Sequence, residues 1–203
     1  MPDVTSIPPA ASADTARLLR RGFALEWTTL AWNVIGIVVL AFAAVAARSV
    51  ALAGFGLDSL IEIGASTVVI WELSGTGEDR QRKAMRLIGA GFVALALYLL
   101  VQSSWVLVSG FHAHHSPAGI AWTAVTAAVM FALAYGKART GESLDNPVLK
   151  TEGRVTFIDG LLATAVLLGL ILSAAWGLWW ADPLAGYVIV YYGIKEARAA
   201  FTH

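Results

Sequence analysis

Six apolar runs limit this chain to one kind of structure, because each is long enough to cross about 30 Å of hydrocarbon at roughly 20 residues per span. They lie near Phe23–Ala46, Ala51–Leu73, Ala84–Gly110, Ala118–Tyr135, Leu149–Trp176 and Asp182–Ala200. In lipid every backbone N–H and C=O must be bonded within the protein, so runs of this length become helices. The expected fold is therefore an all-α membrane protein of six transmembrane helices, with residues 22–203 as one transmembrane domain. Only 14% of the residues are charged, well below the quarter or so of a soluble domain. The connections are short and punctuated by Gly75, Gly77, Gly141 and Pro147, which leaves no second domain of useful size.

Basic residues orient the bundle. Arg17, Arg20 and Arg21 precede the first span, and Arg80, Arg82, Lys83 and Arg86 follow the second. Lys137, Arg139, Lys150 and Arg154 lie between the fourth and fifth, and Lys195 and Arg198 close the chain. All fall on one side of a six-span arrangement, and only Arg48 falls on the other. By the positive-inside rule that side is the cytosol, with both termini on it. Trp176, Trp179 and Trp180 then suit the opposite headgroup zone. Residues 1–21 are polar and Pro-bearing, unlike a cleavable signal, and are expected to form a disordered cytosolic tail.

Several function classes drop out. A net charge of zero gives no electrostatic hold on nucleic acid. The absence of cysteine removes disulfides, thiol catalysis and thiolate metal sites. No Gly-x-x-x-x-Gly-Lys loop is present for ATP-driven pumping, and no organic cofactor is expected. An intramembrane aspartyl protease needs Gly-x-Gly-Asp, whereas Gly54-Phe55-Gly56-Leu57-Asp58 has one residue too many; the chain does not read as an enzyme.

The acids inside the spans carry the chemistry. Asp58 and Glu62 are four apart, so on a helix they differ by about 40° in direction and about 6 Å in height. Asp159 reaches a similar depth on the fifth span. No Lys or Arg is expected at membrane depth to pair these acids, so their negative charge calls for a cation, either a proton or a metal ion. Glu26 and Glu152, nearer the membrane edge, suit a secondary metal site or a proton relay. For each, simple solvation or pairing with Arg21 or Arg154 is an equal alternative. His112, His114 and His115 form a polar loop after the third span that suits release of metal or merely fills the surface. Asp182-Pro183 reads as a helix start, and Gln102 as polar glue between helices.

The run Ser49-Val50-Ala51-Leu52-Ala53-Gly54-Phe55-Gly56-Leu57-Asp58-Ser59-Leu60-Ile61-Glu62 resembles the second helix of the cation diffusion facilitator family. Glu152 to Asp159 is similar to that family's fifth helix, and Asp182-Pro183 to the opening of its sixth. The resemblance implies efflux of a divalent metal ion, zinc first and manganese, iron or cobalt as alternatives, exchanged for protons across the cell membrane. It implies Asp58, Glu62 and Asp159 as metal ligands. Many members carry His or Asp where this chain has Val155, which donates nothing. The chain ends at His203 without the family's cytosolic domain, so any homodimer is expected to form through the transmembrane helices. Rival readings are a proton or cation channel and a membrane protein that binds metal without moving it.

Overall fold

The computed structural model describes residues 9–47, 50–75, 77–110 and 117–201. They form six helices: α1 (Pro9–Ala47), α2 (Val50–Leu73), α3 (Glu78–Ser109), α4 (Pro117–Ser143), α5 (Pro147–Trp176) and α6 (Ala181–Phe201). Among the described residues there is no strand. Each apolar run coincides with one helix, and two helices are longer than expected. α1 takes in residues 9–21, which had been assigned to a disordered tail. Pro9 fits a first helical turn, and Ala10, Ala11, Ala13 and Ala16 are strong helix formers. α4 continues eight residues past Tyr135 to Ser143, so Lys137 and Arg139 are helical and not loop.

Local chemistry sets the helix ends. Gly110 stops α3 in the left-handed conformation, with φ 58° and its N–H bonded to the carbonyl of Val106; glycine has no Cβ to oppose that geometry. Glu78 and Asp79 open α3, where negative charge favours the helix dipole. Asn146 caps α5, its Oδ1 accepting the Leu149 N–H at 2.8 Å, and Pro147 occupies the first turn.

Among the described residues, α1 (over Ala13–Ala46), α3, α4 and α5 are long and apolar enough to cross a membrane. α2 holds the acids Asp58, Glu62 and Glu72, and α6 holds Lys195, Glu196 and Arg198 near its end. The outer surface is apolar: Phe42, Val45, Val101 and Val108 all point outward, Val108 at 89% exposure. Such a surface would drive aggregation in water and is matched by lipid. The protein is a multi-pass membrane protein.

The helices pack as three pairs, α1 on α2, α3 on α6 and α4 on α5, with α2 also touching α3 and α5. Glycines set how closely the α4–α5 pair approaches. A Cβ added at Gly141 would lie 2.7 Å from the backbone nitrogen of Lys150, and one at Gly153 would lie 3.0 Å from that of Ala138. Gly160 similarly meets the Phe131 ring. These α5 glycines therefore lock α5 to α4; they are not at the α2 contact. Small residues allow this backbone approach, which in lipid replaces the missing hydrophobic drive.

Candidate functional site

α2 and α5 run antiparallel, and their polar side chains meet in rungs. From the end of the bundle that carries the chain termini, Asn146 donates to Glu72 at 3.0 Å and Ser66 to Glu152 at 3.5 Å. Thr156 then donates to Glu62 at 2.7 Å. The carboxyls of Asp58 and Asp159 come next and lie close to one another. From Ser66 and Glu152 onward, each rung lowers the α2 number by four and raises the α5 number by three or four, the spacing that keeps side chains on one helical stripe. Asp58, Glu62 and Asp159 are all buried, with at most 3% exposure. The matching depth expected of these three acids is thus observed.

The rung below Glu62 overturns one expectation, that no basic side chain enters the membrane interior. Lys137 is fully buried, and its Nζ lies 2.5 Å from Glu152 Oε1, 2.9 Å from Thr156 Oγ1 and 3.1 Å from Glu26 Oε2. The ammonium donates hydrogen bonds to Glu152 and Thr156 and forms an ion pair with Glu26. The expected alternatives for the two edge acids also fail. Glu152 pairs with Lys137 while Arg154 turns to Glu196 on α6 at 3.0 Å, and Glu26 pairs with Lys137 instead of Arg21. A charge buried this deeply is tolerated only when paired and hydrogen-bonded.

Lys137 was missed because its neighbourhood reads as a basic loop. The buried positions of α4, however, run Gly119, Thr123, Thr126, Met130, Leu133, Lys137 and Thr140. That three-and-four spacing places Lys137 on the same inward seam as the residues before it. On α1 the inward seam is Gly22, Glu26, Thr29, Asn33, Gly36 and Leu40. Glu26 and Asn33 share it one heptad apart, as expected.

Thr156 links the two halves of the site. Its oxygen accepts from Lys137 while its single proton goes to Glu62, the shorter of its two carboxylate contacts. Both Glu26 oxygens, Glu152 Oε2, Asp58 Oδ2 and Asp159 Oδ2 are buried without a hydrogen-bond partner. Unpartnered buried acceptors of this kind suit a proton or a cation. Among the described residues, no three His, Cys, Asp or Glu side chains converge tightly enough to clasp one metal ion. Glu62 is turned toward Thr156, so a three-carboxylate clasp requires it to let that hydroxyl go. Val155 is buried and apolar, so the α5 donor beside Glu62 is the Thr156 hydroxyl.

Other residues singled out in the sequence fall into place around this column. Trp32 of α1 stacks on Trp122 of α4 with centroids 5.0 Å apart, and its Nε1 donates to Thr126 at 3.2 Å. Gln102 lines a small cleft with Ser103, Leu162 and Gly186 between α3, α5 and α6. Ser104 bonds Tyr187 at 2.7 Å, which makes α3–α6 the polar-glued pair. Trp176 and Trp180 are exposed at the opposite end from the termini, as an interfacial belt requires. Asp182 and Pro183 lie in the first turn of α6. The His112, His114 and His115 loop lies outside the described residues.

A six-helix bundle with lipid-matched flanks and a column of buried ionisable side chains in its interior defines a class, the multi-pass membrane proteins that handle ions. Within that class the chain belongs to the cation efflux family, since residues 86–202 match the cation efflux transmembrane domain. It is accordingly a cation transporter, and the substrates of the family are divalent metal cations. The matched stretch holds Lys137, Glu152, Thr156 and Asp159, while Glu26, Asp58 and Glu62 lie before it. No curated protein matches the chain.

Proposed function

We propose that the protein exports a divalent metal ion from the cytosol across the cell membrane in exchange for protons, with Asp58, Glu62 and Asp159 as the metal ligands. Six spans with both termini cytosolic accommodate this, and the rungs from Glu72 upward then lead from the cytosol to the ligands. The observation that carries the reading is the pair of buried carboxyls, Asp58 and Asp159, each with an oxygen that has no hydrogen-bond partner. Buried carboxylates facing one another repel, so the pair holds a proton when no cation is present. A metal ion entering between them expels that proton, and a returning proton competes the metal away.

The donor set is all oxygen. It suits manganese, iron or cobalt and holds zinc less tightly than a site with imidazole would. Glu26 and Glu152 stand between the cytosolic end and these ligands and serve as a relay, with Lys137 as their counter-ion. Helix pairs that tilt around the site would open it to each side in turn.

Metal uptake into proteoliposomes under a pH gradient tests this. Wild type is expected to move metal with counterflowing protons, and Asp58→Asn or Asp159→Asn to abolish the flux. Wild-type flux in both variants would remove these residues from the site. Flux without proton counterflow would remove the exchange.

A further inference from the structure

Lys137 and its partners sit at a mechanical boundary. α4 and α5 approach at backbone distance through Gly141 and Gly153 and are expected to move together. α1 and α2 form a second packed pair. The Lys137–Glu152 contact lies inside the first pair, whereas Lys137–Glu26 and Thr156–Glu62 run from one pair to the other. All of them lie between the terminal-bearing end of the bundle and Asp58 with Asp159. Along α1, about 9 Å farther from the termini than Glu26, Trp32 stacks on Trp122 and joins the same two pairs again.

We propose that Lys137 is a tethered cation that closes the route from the terminal-bearing side to Asp58 and Asp159, and that the route opens by parting Lys137 from Glu26 and Thr156 from Glu62. The ammonium fills the space between Glu26, Glu152 and Thr156 through which an ion would pass. Its charge repels a free cation at that point, and its ion pair with Glu26 joins the two helix pairs. When the pairs separate, Lys137 stays with Glu152, because α4 and α5 move as one. Glu62 is released from Thr156 in the same movement and becomes free to join Asp58 and Asp159. Metal binding and opening of the route are thus coupled through one hydroxyl. The stacked tryptophans keep the pairs joined and act as the pivot. This inference rests on the proposed export only for the name of the side, cytosolic; the closure itself is independent of which ion moves.

The chain contains no cysteine, so a single Asp58→Cys reporter, placed in the column itself, reads access without further engineering. In vesicles exposing the terminal-bearing side, a small impermeant cationic thiol reagent is applied without metal or pH gradient. The reporter is expected to react slowly with Lys137 present and about tenfold faster or more with Lys137→Gln or Glu26→Gln, since the rate follows the open fraction. Lys137→Arg, which keeps the charge, stays slow. Glu26→Gln leaves the Lys137–Glu152 pair intact and decides the matter alone if Lys137→Gln does not fold. Equal rates in all variants, or acceleration only from the opposite side, would overturn the proposal. Flux and access are separate readouts, so loss of one says nothing about the other.

Discussion

Replacing Lys137 by methionine keeps the length of the side chain and removes its charge. Lys137, Glu26 and Glu152 all have fully buried side chains, so the two acids lose their counter-charge where no water reaches them. Breaking a buried ion pair by removing one partner costs about 3–5 kcal/mol, whereas replacing the whole group by neutral side chains is often close to neutral. For a chain of this size each kcal/mol lowers Tm by about 2–4 °C, so Lys137→Met is expected to melt roughly 6–20 °C below wild type. The triple variant Lys137→Met, Glu26→Gln, Glu152→Gln should recover most of that loss. Lys137→Arg should fall between, because a larger planar guanidinium keeps the charge but not the ammonium's geometry toward Glu26, Glu152 and Thr156. Thermal unfolding in detergent, followed by the fluorescence of the eight tryptophans, reads all four proteins. If Lys137→Met melts within about 2 °C of wild type, or the triple variant is no more stable than the single, Lys137 is not the charge that holds these acids.

Thr156→Val removes the bridge between Lys137 and Glu62 at nearly constant volume and leaves buried partners unsatisfied. It should cost about 1–3 kcal/mol in the same melt, and no loss would make Thr156 a bystander. Asn146→Ala deletes the α5 cap and the link to Glu72, with an expected loss of about 1 kcal/mol or somewhat more. An unchanged Tm would refute that. Gly141→Ala drives a methyl to 2.7 Å from the Lys150 nitrogen, so the α4–α5 pair must shift at about 1–3 kcal/mol; a stable, fully active variant would show that the pair is not locked there. Metal affinity measured by calorimetry should weaken about tenfold per pH unit on acidification for each proton displaced. Asp159→Asn should flatten that slope, and an unchanged slope would place the displaced proton elsewhere.

How much of this was legible in the sequence varies by residue. Asp58, Glu62 and Asp159 stand out because a carboxylate in an apolar run is costly and needs a reason. Their common depth follows from helical rise alone. Glu26 and Glu152 stand out too, but their partners do not. Arg21 and Arg154 lie close by in sequence, whereas the cation that satisfies both comes from α4. Lys137 was hidden because a basic residue after an apolar run ordinarily marks a membrane edge.

The sequence by itself determined what is set within one helix at a time. Run lengths dictated helices, alternating basic clusters gave an orientation, and four-residue spacing put Asp58 and Glu62 on one stripe. Tertiary structure alone decided which stripes face one another. The antiparallel register of α2 and α5 joins Asp58 to Asp159 and Glu62 to Thr156, and the close glycine contacts of α4 with α5 carry Lys137 into the same column. The reason is physical: helical periodicity is a property of the local backbone, whereas the pairing of buried charges depends on contacts between segments far apart in the chain.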